Sequence, residues 1–150
     1  MEEMINLELG KDFLDRFTKV CEFLRIEPNL DVMVFECESL EEFHEITGMP
    51  YHTGGVYHEG VIYTQPLDVL RRKNSLEETI LHELLHHVLE MYFDLPRWME
   101  EGVVLAVLGV KPEEVFGYHR DCLLRLIGKV RYEEIPDLVD RYRRSSVERR

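Results

Sequence analysis

Residues 79–89 read TILHELLHHVL, and three of these positions have the types and spacing to do chemistry. His82 and His86 are four residues apart, so on a helix they project from one face about 40° apart and can both reach one cation. Glu83 stands about 100° round from His82, too far to share that direct contact but within reach of a water beside the cation. A base for hydrolysis belongs at that place, so the string His82-Glu83-Leu84-Leu85-His86 is complete for metal-assisted hydrolysis. His87 points about 100° away from His86 and is a poor further ligand on the same helix.

A catalytic zinc keeps three protein ligands and one open position, so a distant residue must complete the set. The stretch LPRWMEEGVVLAVLG at 95–109 brings two adjacent carboxylates. Glu101 shares a helical face with Leu105 and Leu108, and Gly102 lets backbones come close. The apolar face is broad enough that periodicity leaves Glu100 and Glu101 both open. Trp98 is expected to bury its ring between the two helices that carry the ligands.

Positioning these groups falls to the surrounding elements. Ser75 and Glu78 spell a capping box and open a helix predicted to run to about Phe93, which puts the histidines mid-helix among Leu81, Leu84, Leu85 and Val88. Upstream, helical spacing over 11–26 ends at Glu27-Pro28-Asn29, and DVMVFEC at 31–37 predicts a mostly buried strand. A second capping box, Ser39 with Glu42, opens a short helix before Gly48. TGGVYHEGVIYTQP at 53–66 predicts a hairpin turning at Glu59-Gly60, with Tyr57 and Tyr63 as packing residues. Helices are predicted from Trp98 to Leu108, over 119–127, and from Tyr132 to Arg144 with a break or start near Pro136. Helix, strand, helix, hairpin and then helices alone describe an α+β chain with a small antiparallel or mixed sheet and a mainly helical C-terminal half.

The 150 residues fit a single domain over 1–150 with a core large enough to stand without disulfides. Cys21, Cys37 and Cys122 are odd in number and far apart, which suits a reducing, cytoplasmic compartment. No apolar run approaches the roughly 20 residues a membrane span needs, and the acidic start does not read as a signal peptide. A net charge of -12 with 30 carboxylates argues against a general nucleic-acid surface. The exception is the tail RYRRSSVERR, where Arg141, Arg143, Arg144, Arg149 and Arg150 read as a solvated helix end favoured by the helix dipole.

HELLH followed by PRWMEEG resembles the gluzincins, zinc metallopeptidases of the thermolysin-like clan, in their compact peptidase MA-like form. The direct resemblance covers roughly residues 53–109, and it implies a small zincin-like domain with a short three-stranded sheet packed on the active-site helix. It implies Zn2+ held by His82, His86 and Glu101, the glutamate just before the glycine, with Glu83 as general base. It also implies an edge strand within residues 54–64 that binds extended peptide, and a tyrosine or histidine that stabilises the oxyanion, for which Tyr118 and His119 are the nearest candidates. Glu90, Glu100 and Asp94 are candidate partners for the far nitrogens of the ligating imidazoles. Substrates are then peptides or unfolded polypeptide, and self-association or latency through the cleft or the arginine tail is a further expectation. Two other classes stay open. One is a non-peptidase metal-dependent hydrolase or iron protein; the other is a zinc-stabilised interaction domain, against which Glu83 weighs because a structural site needs no base.

Overall fold

A computed structural model of the chain describes residues 9–50 and 53–145. The N-terminal acidic segment and Arg149 and Arg150 of the tail lie outside the described residues. The elements in order are α1 Lys11–Leu24, β1 Met33–Glu36, α2 Leu40–Thr47, β2 Gly55–His58, β3 Val61–Thr64, α3 Leu67–Arg72, α4 Leu76–Tyr92, α5 Arg97–Val107, a 3-10 turn at Pro112–Glu114, α6 Gly117–Ile127, a second at Tyr132–Glu134, and α7 Ile135–Asp140. It is a small α+β structure with a mixed three-stranded sheet packed on helix and a mainly helical C-terminal half, which matches a zincin-like fold. By contacts the chain falls into two compact units, one holding residues up to Phe17 with Asn29–His87, the other Thr18–Pro28 with Val88 onward. Both α1 and α4 run unbroken through this division.

The first unit is organised around the hairpin. Glu59 and Gly60 have φ of 46° and 88°, so both central residues are left-handed as a two-residue type I′ turn requires. β2 runs antiparallel to β3, and β1 pairs with the other side of β3 in parallel, giving the order β1-β3-β2. β2 is therefore the antiparallel edge that the resemblance calls for. β1 departs from expectation: Met33 is 61% exposed and Phe35 46%, and burial falls on the flanking Val32 and Cys37. Apolar composition suggested a buried strand, but an edge strand has only one neighbour to cover it. Ile62 of β3 is fully enclosed, as are Phe43, Leu70, Ile80, Leu81, Leu84 and Leu85 of this unit.

Capping differs between the two predicted boxes. Ser39 Oγ accepts from Glu42 N–H at 3.0 Å, and Glu42 Oε1 accepts from Glu38 N–H at 2.9 Å, one residue before the N-cap. At α4 the Ser75 hydroxyl donates to the Leu70 carbonyl, Thr79 N–H donates to the Ser75 carbonyl, and Glu78 pairs with Arg16 instead of closing a box. The short helix α3 was not foreseen in the sequence.

In the second unit, Gly102 brings α5 and α6 together, since a Cβ there would lie 2.9 Å from the Cys122 carbonyl oxygen and 3.1 Å from the Leu126 Cβ. Met99, Val103, Val104, Leu123 and Leu126 are buried in this unit with Val139 of α7. The last predicted helix is shorter than its periodicity suggested, ending at Asp140. Beyond it Arg141 and Arg144 are exposed, but the chain is also fastened to earlier residues. Arg144 N–H donates to the Tyr92 carbonyl and its Nε to the Glu90 carbonyl, both at 2.9 Å, while Tyr142 accepts from Asp94 N–H at 2.8 Å. Arg143 lies over the Phe93 ring, pairs with Asp140 and reaches the Arg25 carbonyl.

Candidate metal centre

On α4 the turn of 3.6 residues sorts chemical groups into neighbouring rows. Thr79, Glu83 and His87 form one row and meet β2: Thr79 crowds Gly54 and Gly55, and a Cβ on Gly55 would sit 3.5 Å from Glu83 Cγ. His82 and His86 form the next row, with ring centroids 5.2 Å apart. Leucines and valine on the remaining faces are buried, so the helix has little freedom to rotate its polar rows.

Glu101 is the fifth residue of α5 and only 9% exposed. One ligand atom from each of His82, His86 and Glu101 lies within 4.8 Å of the other two. Two imidazoles and a carboxylate are a donor set that suits zinc, with bonds of about 2.0–2.2 Å and a position left for reactant. The residues present thus fit the metal, and the cluster with Glu83 matches a compact gluzincin-type zinc-binding active site. Structure and resemblance agree on Glu101 where periodicity left Glu100 open. Glu100 instead joins His86 and Glu90 in a second group that could hold a metal ion, and Asp94 faces Arg144 at 3.8 Å.

Glu83 is 9% exposed, and its Oε1 accepts from Tyr57 N–H at 2.9 Å. The base candidate is thereby fixed to the edge strand. His87, the histidine that was a poor ligand by spacing, is buried and occupied on both nitrogens: Nδ1 lies 3.0 Å from the Tyr57 hydroxyl and Nε2 3.0 Å from Asn29 Oδ1. Burial lowers its pKa against the weaker opposing pull of Asp31. Tyr57 thus packs on the helix, whereas Tyr63 turns to the other sheet face, 5.7 Å from the Phe35 ring. The Tyr57, His87 and Asn29 set was missed in sequence, because its members are 30 and 58 residues apart. Alternation along β2 was the one signal, placing Tyr57 and Gly55 on the same side.

The two candidates at the start of α6 separate. His119 Nε2 lies 3.6 Å from Glu101 Oε1. Tyr118 is 57% exposed and engages the Cys122 thiol; desolvation first, then that bond and the Glu101 charge, raise its pKa. Trp98 is half-buried, and its ring lies under the Arg125 guanidinium of α6 at 4.0 Å.

No family model, curated protein or solved structure matches the chain. The case for the site is its geometry. Three clustered ligands, with a glutamate in the adjacent helical row at an antiparallel strand edge, support a metal-activated, glutamate-assisted hydrolytic mechanism and the character of a zinc peptidase.

Proposed function

We propose that the chain is a zinc-dependent endopeptidase that cleaves peptides or unfolded polypeptide, with residues 1–150 acting as one catalytic domain. The approach of His82, His86 and Glu101 carries this reading. Those three residues would hold the metal, which when bound supplies Lewis acidity that acidifies water and polarises the scissile carbonyl. An extended substrate would run antiparallel to β2, whose edge position follows from the strand order. Glu83 takes a proton from the attacking water, whose oxygen bonds to the carbonyl carbon; as the C–N bond breaks, Glu83 passes the proton to the departing amine. His119, beside Glu101, is the better placed donor to the oxyanion, and Tyr118 at the same helix start is the alternative.

Location in a reducing cytoplasm is supported by three buried free thiols. Among the described residues no helix is long and apolar enough to cross a membrane. Zinc content and peptide-library cleavage of wild type and Glu83→Gln test the proposal. Stoichiometric zinc in both, with cleavage only by wild type, is expected. Zinc in both and cleavage by neither would favour an interaction domain, and cleavage by Glu83→Gln at the wild-type rate would remove Glu83 as the base.

A further inference from the structure

We infer that His87 is a positioning residue for the general base, acting through Tyr57. The inference rests on the reading of Glu83 as that base, and it begins with donor and acceptor assignments. Asn29 Oδ1 already accepts from the Asp31 backbone N–H at 2.8 Å, so it is an acceptor toward His87 as well. His87 Nε2 must therefore carry a ring proton, and in the neutral ring Nδ1 accepts from the Tyr57 hydroxyl. The phenolic oxygen in turn accepts from Gly60 N–H at 3.0 Å. The run from Gly60 through Tyr57 and His87 to Asn29 is thus continuously hydrogen-bonded.

The strand register gives this run its consequence. His58 and Val61 flank the two-residue turn and form the first hydrogen-bonded pair, so Tyr57 and Ile62 form a non-bonded pair and the Tyr57 N–H points away from β3. That N–H is the donor Glu83 Oε1 receives. The phenol of Tyr57 fixes the residue to His87, and the same residue's amide fixes the carboxylate four positions earlier on α4. Side chain and backbone of one tyrosine thus join two members of a single helical row, Glu83 and His87. An edge strand has no second neighbour to hold it, so the phenol to imidazole bond sets where its outward amide stands. A carboxylate with one oxygen held by that amide has less freedom to turn, which a proton transfer between fixed atoms requires.

Amide hydrogen exchange of the metal-free chain, followed residue by residue by NMR, tests the arrangement independently of catalysis. The Tyr57 amide should exchange at least tenfold faster in Tyr57→Phe, in His87→Gln and in Glu83→Ala than in wild type, while the Tyr63 amide, bonded across to β2, keeps its protection. In the zinc-loaded protein, Tyr57→Phe should lower kcat at least tenfold with KM and zinc affinity within twofold of wild type, and adding His87→Gln should cost no more than the worse single change. Equal loss of protection at Tyr57 and Tyr63 would mark His87 as a support of the hairpin alone and overturn the inference. So would an unchanged Tyr57 amide in Tyr57→Phe, which retains the ring and is the variant least able to unfold the chain. A wild-type chain that binds zinc and cleaves nothing defeats the peptidase reading; the amide measurement still decides the coupling of His87 to Glu83.

Discussion

His119 and Tyr118 are sequence neighbours with different surroundings, and kinetics should separate them. With its Nε2 3.6 Å from Glu101, His119 stands beside the ligand cluster, so His119→Ala is expected to lower kcat about 10²-fold, the cost of an oxyanion donor. Tyr118→Phe loses a bond to Cys122 on a largely exposed ring and should change kcat far less. Steady-state rates on one peptide check both; a larger loss in Tyr118→Phe would reverse the assignment. His82, Glu83 and His86 were legible in the sequence because a helix fixes their relative directions within two turns. Glu101 needed the resemblance, because two adjacent carboxylates on a broad apolar face have no periodicity to choose between them. His87 was legible only as a non-ligand, since both its partners come from distant parts of the chain.

At the scale of elements, Gly102 is the glycine that approaches backbone most closely. A methyl group there meets the Cys122 backbone, which cannot swing aside, so Gly102→Ala should cost about 1–3 kcal/mol in urea denaturation through forced separation of α5 and α6. Stability unchanged within error would show that this packing is looser than the contact distances imply. Ser39→Ala should cost about 1 kcal/mol by the same measurement, since its hydroxyl caps α2. The hairpin, α5 and the centre of α4 were readable from periodicity and turn residues. The exposure of β1 was not, because strand composition reports that a segment pairs but not whether it has one neighbour or two. The unread helix α3 and the shortened α7 are both only six residues long, too short for an apolar stripe to declare itself.

For the whole molecule, the buried thiols and the chain end make the measurable differences. Cys21 is fully enclosed and its thiol pKa is pushed up to about 12, by burial first and then by Glu22 and Glu27. An unfolded thiol ionises near 9.0, so between these values the unfolded chain has released a proton that the folded chain retains. Stability is therefore whole below about pH 9 and falls as pH rises through that window, by up to about 1.4 kcal/mol per pH unit from this group. Denaturation midpoints at pH 8, 9.5 and 10.5 should decline, and in Cys21→Ala the decline should be shallower. The tail gives a second test. A chain ending at Arg144 keeps the bonds to Glu90 and Tyr92, and should match the full chain in melting temperature, whereas one ending at Asp140 should melt lower. Equal peptidase activity of the full chain and the chain ending at Arg144 would end the idea of latency through the terminal residues.

The paired histidines of α4 also make its motif robust to an error it should detect. Deleting Leu84 or Leu85 would leave a string that still spells histidine, glutamate and a second histidine four places after the first, because His87 would move into the place of His86. The spelling would survive while the phase of the helix failed: valine would stand under Tyr57, and the hairpin would lose its imidazole. In this chain the five-letter signature thus names the metal pair and the base, while the inferred alignment of that base rests on the sixth letter, His87.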